Sequence, residues 1–298
     1  MRRLFCIFLS LLFLSGCTQA AANNTVEPVF TTPREIRATA PERDLRSIRI
    51  VTWNIDRGAR VQHVIEDMKS NPADLCLFQE VDWGTARTHG ADIAAELAKT
   101  LHLNAAYGVT FEELGQEIHG HPAYIGSATL TKLPIEKIRA LRFRHQSWWW
   151  KPRPWFPSKV PFFQRRLGGR IALVTELRFA GKLLVVYNVH LESRSLGKIQ
   201  KEEMNEVQAD SERYPSGTAI IVGGDFNSKY FPSDFLKNME SRGYHSALGQ
   251  RVERTHKIAL ALDWIFAKGP IELRDGHVRK DLHNASDHFP VFAHLIAR

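Results

Sequence analysis

From Ser47 onward the apolar residues come in short dense runs divided by polar breaks. "IRIVTW" (48–53) and "ADLCLFQEV" (73–81) are nearly continuous in apolar residues, as strands buried on both faces require. Between them "VQHVIEDMKS" has helical spacing and stops at Asn71-Pro72. "ADIAAELAKTLH" (91–102) predicts another helix, and strands follow near 105–110, 124–131 and 135–143. "RIALVTELRF" (170–179) and "KLLVVYNVHL" (182–191), joined by Ala180-Gly181, predict a hairpin. A helix over roughly 196–211 then precedes three further strand patterns, "TAIIVGGDFN", "ALDWIFA" and "HFPVFAHLI". With no internal repeat and no second linker, residues 47–298 read as one α+β domain.

The pattern upstream is different. Arg2 and Arg3 precede the apolar run Leu4 to Leu14, which is too short for a comfortable membrane span and suits a signal peptide. It ends Leu14-Ser15-Gly16-Cys17, which resembles the lipobox of bacterial lipoproteins. The resemblance implies cleavage before Cys17 and its acylation. With Thr18 next, it implies the outer membrane in a Gram-negative cell. Residues 18–46, rich in Ala, Thr, Asn, Pro and Arg and without apolar periodicity, read as a flexible tether.

Composition narrows the picture only a little. Hydrophobic residues make up 44% and charged residues 24%, a globular balance. Of three cysteines, Cys6 leaves with the signal and Cys17 would carry lipid. Cys76 remains as a small buried hydrophobe, so stability rests on the core and not on a disulfide. The net charge of +8 suits nucleic acid or anionic headgroups and selects neither.

Chemistry is concentrated where apolar runs stop. "TWNID" ends in Asn54 and Asp56, "FQE" in Glu80, "NVH" in His190, "GGDFN" in Asp225 and Asn227, while "LDW" carries Asp263 and "SDH" carries Asp287 and His288. Each has a bland explanation as a cap, turn or ion-pair partner. Together they do not, because unpaired carboxylates at buried strand ends cost several kcal/mol unless a cation joins them. The donors are hard oxygens suited to Mg²⁺ or Mn²⁺, and the two histidines are candidates for proton transfer.

In order and spacing, "TWNID", "FQEVD", "NVHLES", "GGDFNS", "LDWIF" and "ASDHFPV" resemble the endonuclease/exonuclease/phosphatase superfamily, the DNase I-like metal-dependent phosphoesterases, over roughly residues 47–298. The resemblance implies a four-layered α/β/β/α sandwich of two packed mixed sheets flanked by helices. It implies a metal site at Glu80, Asn54, Asp56 and Asp287. His288 would be the general base oriented by Asp263, and Asp225 with Asn227 would position water and phosphate. His190 would bind phosphate or protonate the leaving oxygen, and Arg170 would contact phosphate.

The substrate is left between branches. His190 replaces the Tyr of abasic-site endonucleases, "LALDWIF" lacks the inositol 5-phosphatase block, and Ser127 in "YIGSATLTKLP" departs from the commoner Gly-Asn-Ala form. A phosphodiesterase acting on lipid headgroups at the cell envelope, an envelope nuclease and an inactive binding module are the three readings. The last conflicts with every core catalytic position being filled. Residues 144–168 form an insertion rich in aromatic and basic residues and including "WWWKPRPWFPSKVPFF". Trp148, Trp149, Trp150 and Trp155 suit a membrane interface, a base-stacking platform or a private mini-core. The protein is expected to be a monomer.

Overall fold

Residues 27–38, 42–151 and 162–298 are described by the structure, a computed structural model of the chain. Cys17, Trp155 and the middle of the aromatic insertion lie outside them.

One helical turn, α1 (Pro28–Thr31), precedes β1 (Arg34–Ile36) and β2 (Ser47–Arg57). Helix α2 (Val61–Ser70) leads into β3 (Leu75–Trp83), and α3 (Ile93–Leu101) into the antiparallel pair β4 (Asn104–Glu113) and β5 (Tyr124–Thr131). Strand β6 (Ile135–Arg142) and the short β7 (Arg166–Gly168) flank the insertion, and β8 (Ile171–Phe179) and β9 (Lys182–His190) form the expected hairpin. Its turn places Ala180 and Gly181 at φ 53° and 73°, the positive pair that two-residue hairpin loops favour. Helix α4 (Lys198–Ser211), β10 (Ala219–Asp225), α5 (Pro232–Ser241), β11 (His245–Ser246), β12 (Asp263–Lys268), β13 (Ile271–Val278) and β14 (Val291–Ala297) complete the chain.

Two mixed sheets result. The first runs β1-β4-β5-β3-β2-β14-β13, with β7 also on β4; the second runs β11-β12-β10-β9-β8-β6. Pleat alternation sorts their side chains into layers. Ile50, Leu75, Leu77, Leu184, Val186, Ile221 and Ile265 pack between the sheets. Their neighbours Val51, Trp53, Cys76 and Phe78 point the other way, onto α2 and α3 through Val64, Met68, Leu97 and Ala98. Val185, Tyr187, Ile220, Val222, Trp264 and Phe266 cover α4 and α5 through Val207, Leu236 and Met239. The fold is thus helix, sheet, sheet, helix. The free thiol of Cys76 is fully buried, and burial pushes its pKa far up, which keeps it an inert hydrophobe.

A polar bridge crosses the apolar interior. The Gln79 side-chain amide donates to the Asn188 side-chain oxygen at 2.8 Å, and the Asn188 amide donates to the Phe78 and Ala128 carbonyls at 3.2 and 3.0 Å. This joins β9 to β3 and β5 just beneath the strand ends. Gly223 makes room nearby, since a Cβ there would lie 2.6 Å from Leu77 Cδ1 of the facing sheet.

Three readings of the sequence are corrected. The segment taken as tether is ordered into the domain over part of its length: β1 pairs antiparallel with β4 from Arg34 opposite Tyr107 to Ile36 opposite Ala105. Arg34 secures it, with its guanidinium bonded to Asp92 at 2.5 and 2.7 Å and lying 4.1 Å from the Trp83 ring centre. The insertion is shorter than 144–168, because Arg166–Gly168 already pairs with the end of β4. Within it, Trp150 is not available to a membrane: it is buried against Phe111, and its indole N–H donates to Glu192 at 2.8 Å.

Candidate active site

Strand register lines up the first three groups. Asp225, the last residue of β10, sits opposite His190 of β9 on one side and Asp263 of β12 on the other. Three adjacent strands therefore deliver His, Asp and Asp in one row at a sheet end. Gly224 permits this: its φ is 149°, and a Cβ would meet the Val189 carbonyl oxygen at 1.9 Å. Asp225 Oδ2 lies 3.5 Å from His190 Nε2 and 3.8 Å from His288 Nε2, and its Oδ1 accepts the Asn227 N–H at 2.9 Å. The Asn227 amide is tied to the Leu191 carbonyl at 3.0 Å.

The facing sheet brings Asn54 and Glu80. Pairing of β2 with β3 is interrupted between Asn54 and Arg57, and that of β3 with β5 between Phe78 and Val81. At these bulges Asp56 and Glu80 take φ of 44° and 52°, conformations that a side chain holds only when its surroundings compel it. The bulge in β3 turns Glu80 towards the row. The Asn54 amide N–H₂ then reaches Glu80 Oε1 at 3.4 Å and Asp225 Oδ2 at 3.2 Å, and Glu80 Oε1 is 4.0 Å from His190 Nε2.

His288 arrives from the loop before β14. Ser286 Oγ donates to the Asn54 carbonyl at 2.7 Å and accepts the His288 N–H at 3.0 Å, while Trp53 Nε1 donates to the His288 carbonyl at 3.0 Å. The ring is held through Nδ1 by Asp263 at 2.9 and 3.1 Å, which leaves Nε2 facing Asp225.

The other two expected metal ligands already have partners, and one of them, Asp287, offers ligand atoms with His256 and His288 within 4.8 Å of one another. Asp56 bonds to Arg57 at 2.6 Å. The Asp287 carboxylate is half exposed and contacts His256 Nε2 at 3.2 Å. His256 itself was not foreseen; its ring stands edge-on to His288 with centroids 4.6 Å apart. Arg170 is buried, donates weakly to Ser193 Oγ at 3.4 Å, and lies over Phe111 and Trp150. It acts on the site through its field: burial, and then Arg170 and His288, hold the His190 pKa well below its ordinary value.

The remaining electrostatics run the opposite way. Burial raises the Asp225 pKa, although His288 opposes this. Burial alone would depress His288, but Asp263 and then Asp225 push it up to about 10. Glu80 and Asp225 thus converge on one amide, with Arg57 at 3.9 Å the cation nearest Glu80 among its described partners. Two hard carboxylates on either side of Asn54 fit a divalent cation, to which Asn54 could lend only its side-chain oxygen, here accepting the Asp56 N–H at 3.1 Å. Asp225, Asp263 and His288 also offer ligand atoms within 4.8 Å of one another.

A family model described as the endonuclease/exonuclease/phosphatase family matches residues 51–288, and the chain belongs to that family. Its members are generally divalent-metal-dependent phosphoester hydrolases. Among solved structures, an endonuclease/exonuclease/phosphatase from Bacteroides vulgatus superposes with a TM-score of 0.61 at 16% identity, over 85% of this chain and 99% of that one. A family protein from Leptotrichia buccalis gives 0.59 at 17% identity, over 83% and 98%. TDP2 from C. elegans gives 0.55 at 18%, over 84% and 75%. No curated protein matches the sequence.

Proposed function

We propose that the protein is a phosphodiesterase of the cell envelope that hydrolyses lipid headgroups, working with Mg²⁺ or Mn²⁺. The observation that carries hydrolysis is the convergence of His190, Asp225, His288 and Asp263 with Asn54 and Glu80. A cation held by Glu80, Asn54 and Asp225 would stabilise the charge that grows on the phosphate oxygens. Asp263 presents His288 Nε2 to the attacking water; a cation beside Asp225 would weaken the carboxylate field that holds the ring protonated and so would free it to take a proton. Asn227, fixed by Asp225 and Leu191, orients that water and the phosphate. His190, held neutral, offers its ring N–H to a phosphate or leaving oxygen.

The lipid reading is supported by where large apolar side chains are exposed. Trp148, Trp149, Phe162, Phe163, Leu196, Tyr230 and Phe231 belong to the insertion between β6 and β7 and to the loops after β9 and after β10, which edge the row of His190 and Asp225. Among the described residues only Val252 and Ile258 are comparably exposed, in the loop leading to β12. Aromatic rings with basic neighbours favour the headgroup layer. The attachment in this reading is acylated Cys17, which the lipobox resemblance implies; no helix among the described residues is long and apolar enough to cross a membrane.

The test uses the purified full-length protein on bis(4-nitrophenyl) phosphate, sphingomyelin, phosphatidylinositol, plasmid DNA and RNA. Turnover of a phospholipid with Mg²⁺ or Mn²⁺, abolished by excess EDTA, is expected. DNA cleavage that falls steeply with salt, without lipid turnover, would make it an envelope nuclease. Full activity in EDTA would overturn metal dependence.

A further inference from the structure

Beside the catalytic row, the insertion, the ends of β2 and β4, the turn after β3 and the loop after β9 enclose a cleft of about 900 Å³. Arg57, Arg87, Arg165, Arg166 and Arg194 line it, against a single lining carboxylate, Glu113. Arg87 is neutralised by Asp82 and Glu113 at 2.6 Å each, Arg166 pairs with Glu113, and Arg57 bonds to Asp56. Arg165 and Arg194 make no ion pair to any described residue. Both are exposed, and the Arg194 guanidinium lies 5.2 Å from the Trp149 ring centre and 5.4 Å from that of Trp150.

The walls are firmly built. Gln164 is buried, and its amide donates to the carbonyls of Lys151 and Arg166 at 3.1 Å each and of Trp149 at 3.3 Å, which clamps both limbs of the insertion. Glu192, two residues beyond His190, accepts both the Trp150 indole and the Ser147 N–H. The cleft also reaches the chemistry directly: Arg57 on its wall has Nε 3.9 Å from Glu80 Oε2. Three of the five guanidinium groups have carboxylate partners, and Arg165 and Arg194 add two uncompensated positive charges to the same concavity, where folding gains nothing from them. A bound anion would neutralise those two charges, and guanidinium is well suited to grip phosphate through paired N–H groups.

Resting on the phosphoesterase reading of the adjacent row, we propose that the cleft is a second subsite for another phosphate of the same substrate. Arg165 and Arg194 are its principal donors, with Trp149 flooring it. The substrate class is then a phosphodiester that carries an additional phosphate a few bonds from the scissile one. Such chemistry occurs in a phosphorylated lipid headgroup and in a nucleotide.

The experiment compares substrates that differ only by that phosphate, using the full-length protein. One pair is phosphatidylinositol with and without a 4-phosphate in vesicles. The other is thymidine 5′-(4-nitrophenyl phosphate) with and without a 3′-phosphate. The second phosphate is expected to raise kcat/KM at least tenfold in one pair, and the responsive pair identifies the source as lipid or nucleotide. The double variant Arg165→Gln/Arg194→Gln should erase that preference, and Arg165→Lys/Arg194→Lys should restore part of it. No preference in either pair, or one that survives the double variant, overturns the subsite. If no phosphodiester is turned over at all, the phosphoesterase reading fails and the cleft is judged by calorimetry with inorganic pyrophosphate in EDTA. Binding weakened at least tenfold in the double variant supports the subsite. Absent or unaltered binding rejects it.

Discussion

At His288 a single imidazole faces two carboxylates that have opposite tasks: Asp263 holds Nδ1, and Asp225 faces Nε2. Glu80→Gln, Asp225→Asn, His190→Ala and His288→Ala should each lower turnover of bis(4-nitrophenyl) phosphate by about a hundredfold or more. Circular dichroism should show the fold retained. Near-wild-type turnover by His288→Ala would remove it as the base. The raised His288 pKa also links stability to pH. A group whose pKa rises on folding stabilises the fold fully below its unfolded value, here about 6.5, and that contribution disappears as pH climbs through about 10. Thermal unfolding of the metal-free protein should therefore show stability falling across that window, and His288→Gln should flatten the fall; parallel curves would contradict the pairing. These residues were legible because apolar runs stop abruptly at them. Asp56 and Asp287 were legible only as types, since the backbone turn at φ 44° and the partner His256 decide where their carboxylates go. His256 meets its partner across 31 residues, a distance no local pattern encodes.

Among elements, the bridge between sheets carries the sharpest consequence. Asn188→Ala would leave the Gln79 amide and the Phe78 and Ala128 carbonyls short of a partner in a dry interior. A loss of about 1–3 kcal/mol is expected in urea unfolding, with Asn188→Asp no better, because it removes the donor. An unchanged midpoint would mean that the bridge contributes nothing. The strands were readable because burial on two faces leaves few polar residues in them. Helix α5 and strand β13 escaped notice for the converse reason. Strand β13, "IELRDGHV", is an edge strand with only Ile271 buried, and α5 opens at Pro232 after Phe231 at φ 56°. Strand β1 is three residues long, too short for any periodicity, and owes its place to pairing with β4.

For the whole molecule, the order of apolar runs sufficed for a single α+β domain, because each run had a face to cover, while the four layers followed from the resemblance carried by the strand-end motifs. The cleft was out of reach, because its arginines come from segments as far apart as Arg57 and Arg194 and meet only in the fold. Localisation rests on Cys17: Cys17→Ser should move the protein from the membrane fraction to the soluble fraction on ultracentrifugation. Equal partitioning of the two forms, or a mature protein whose mass shows another first residue, would contradict acylation there.

The docking of β1 onto the sheet edge then sets a length. A leash running freely to Ser47 would have about thirty residues, a reach of roughly 100 Å. With Pro28 already packed as α1 and Arg34 clamped by Asp92, about eleven residues separate it from Cys17, or roughly 40 Å at full stretch. On the acylation and lipid readings proposed above, an enzyme so tethered would not search solution: it would graze a disc of membrane around its own anchor, and its turnover in a cell would be governed by how fast headgroups diffuse into that disc.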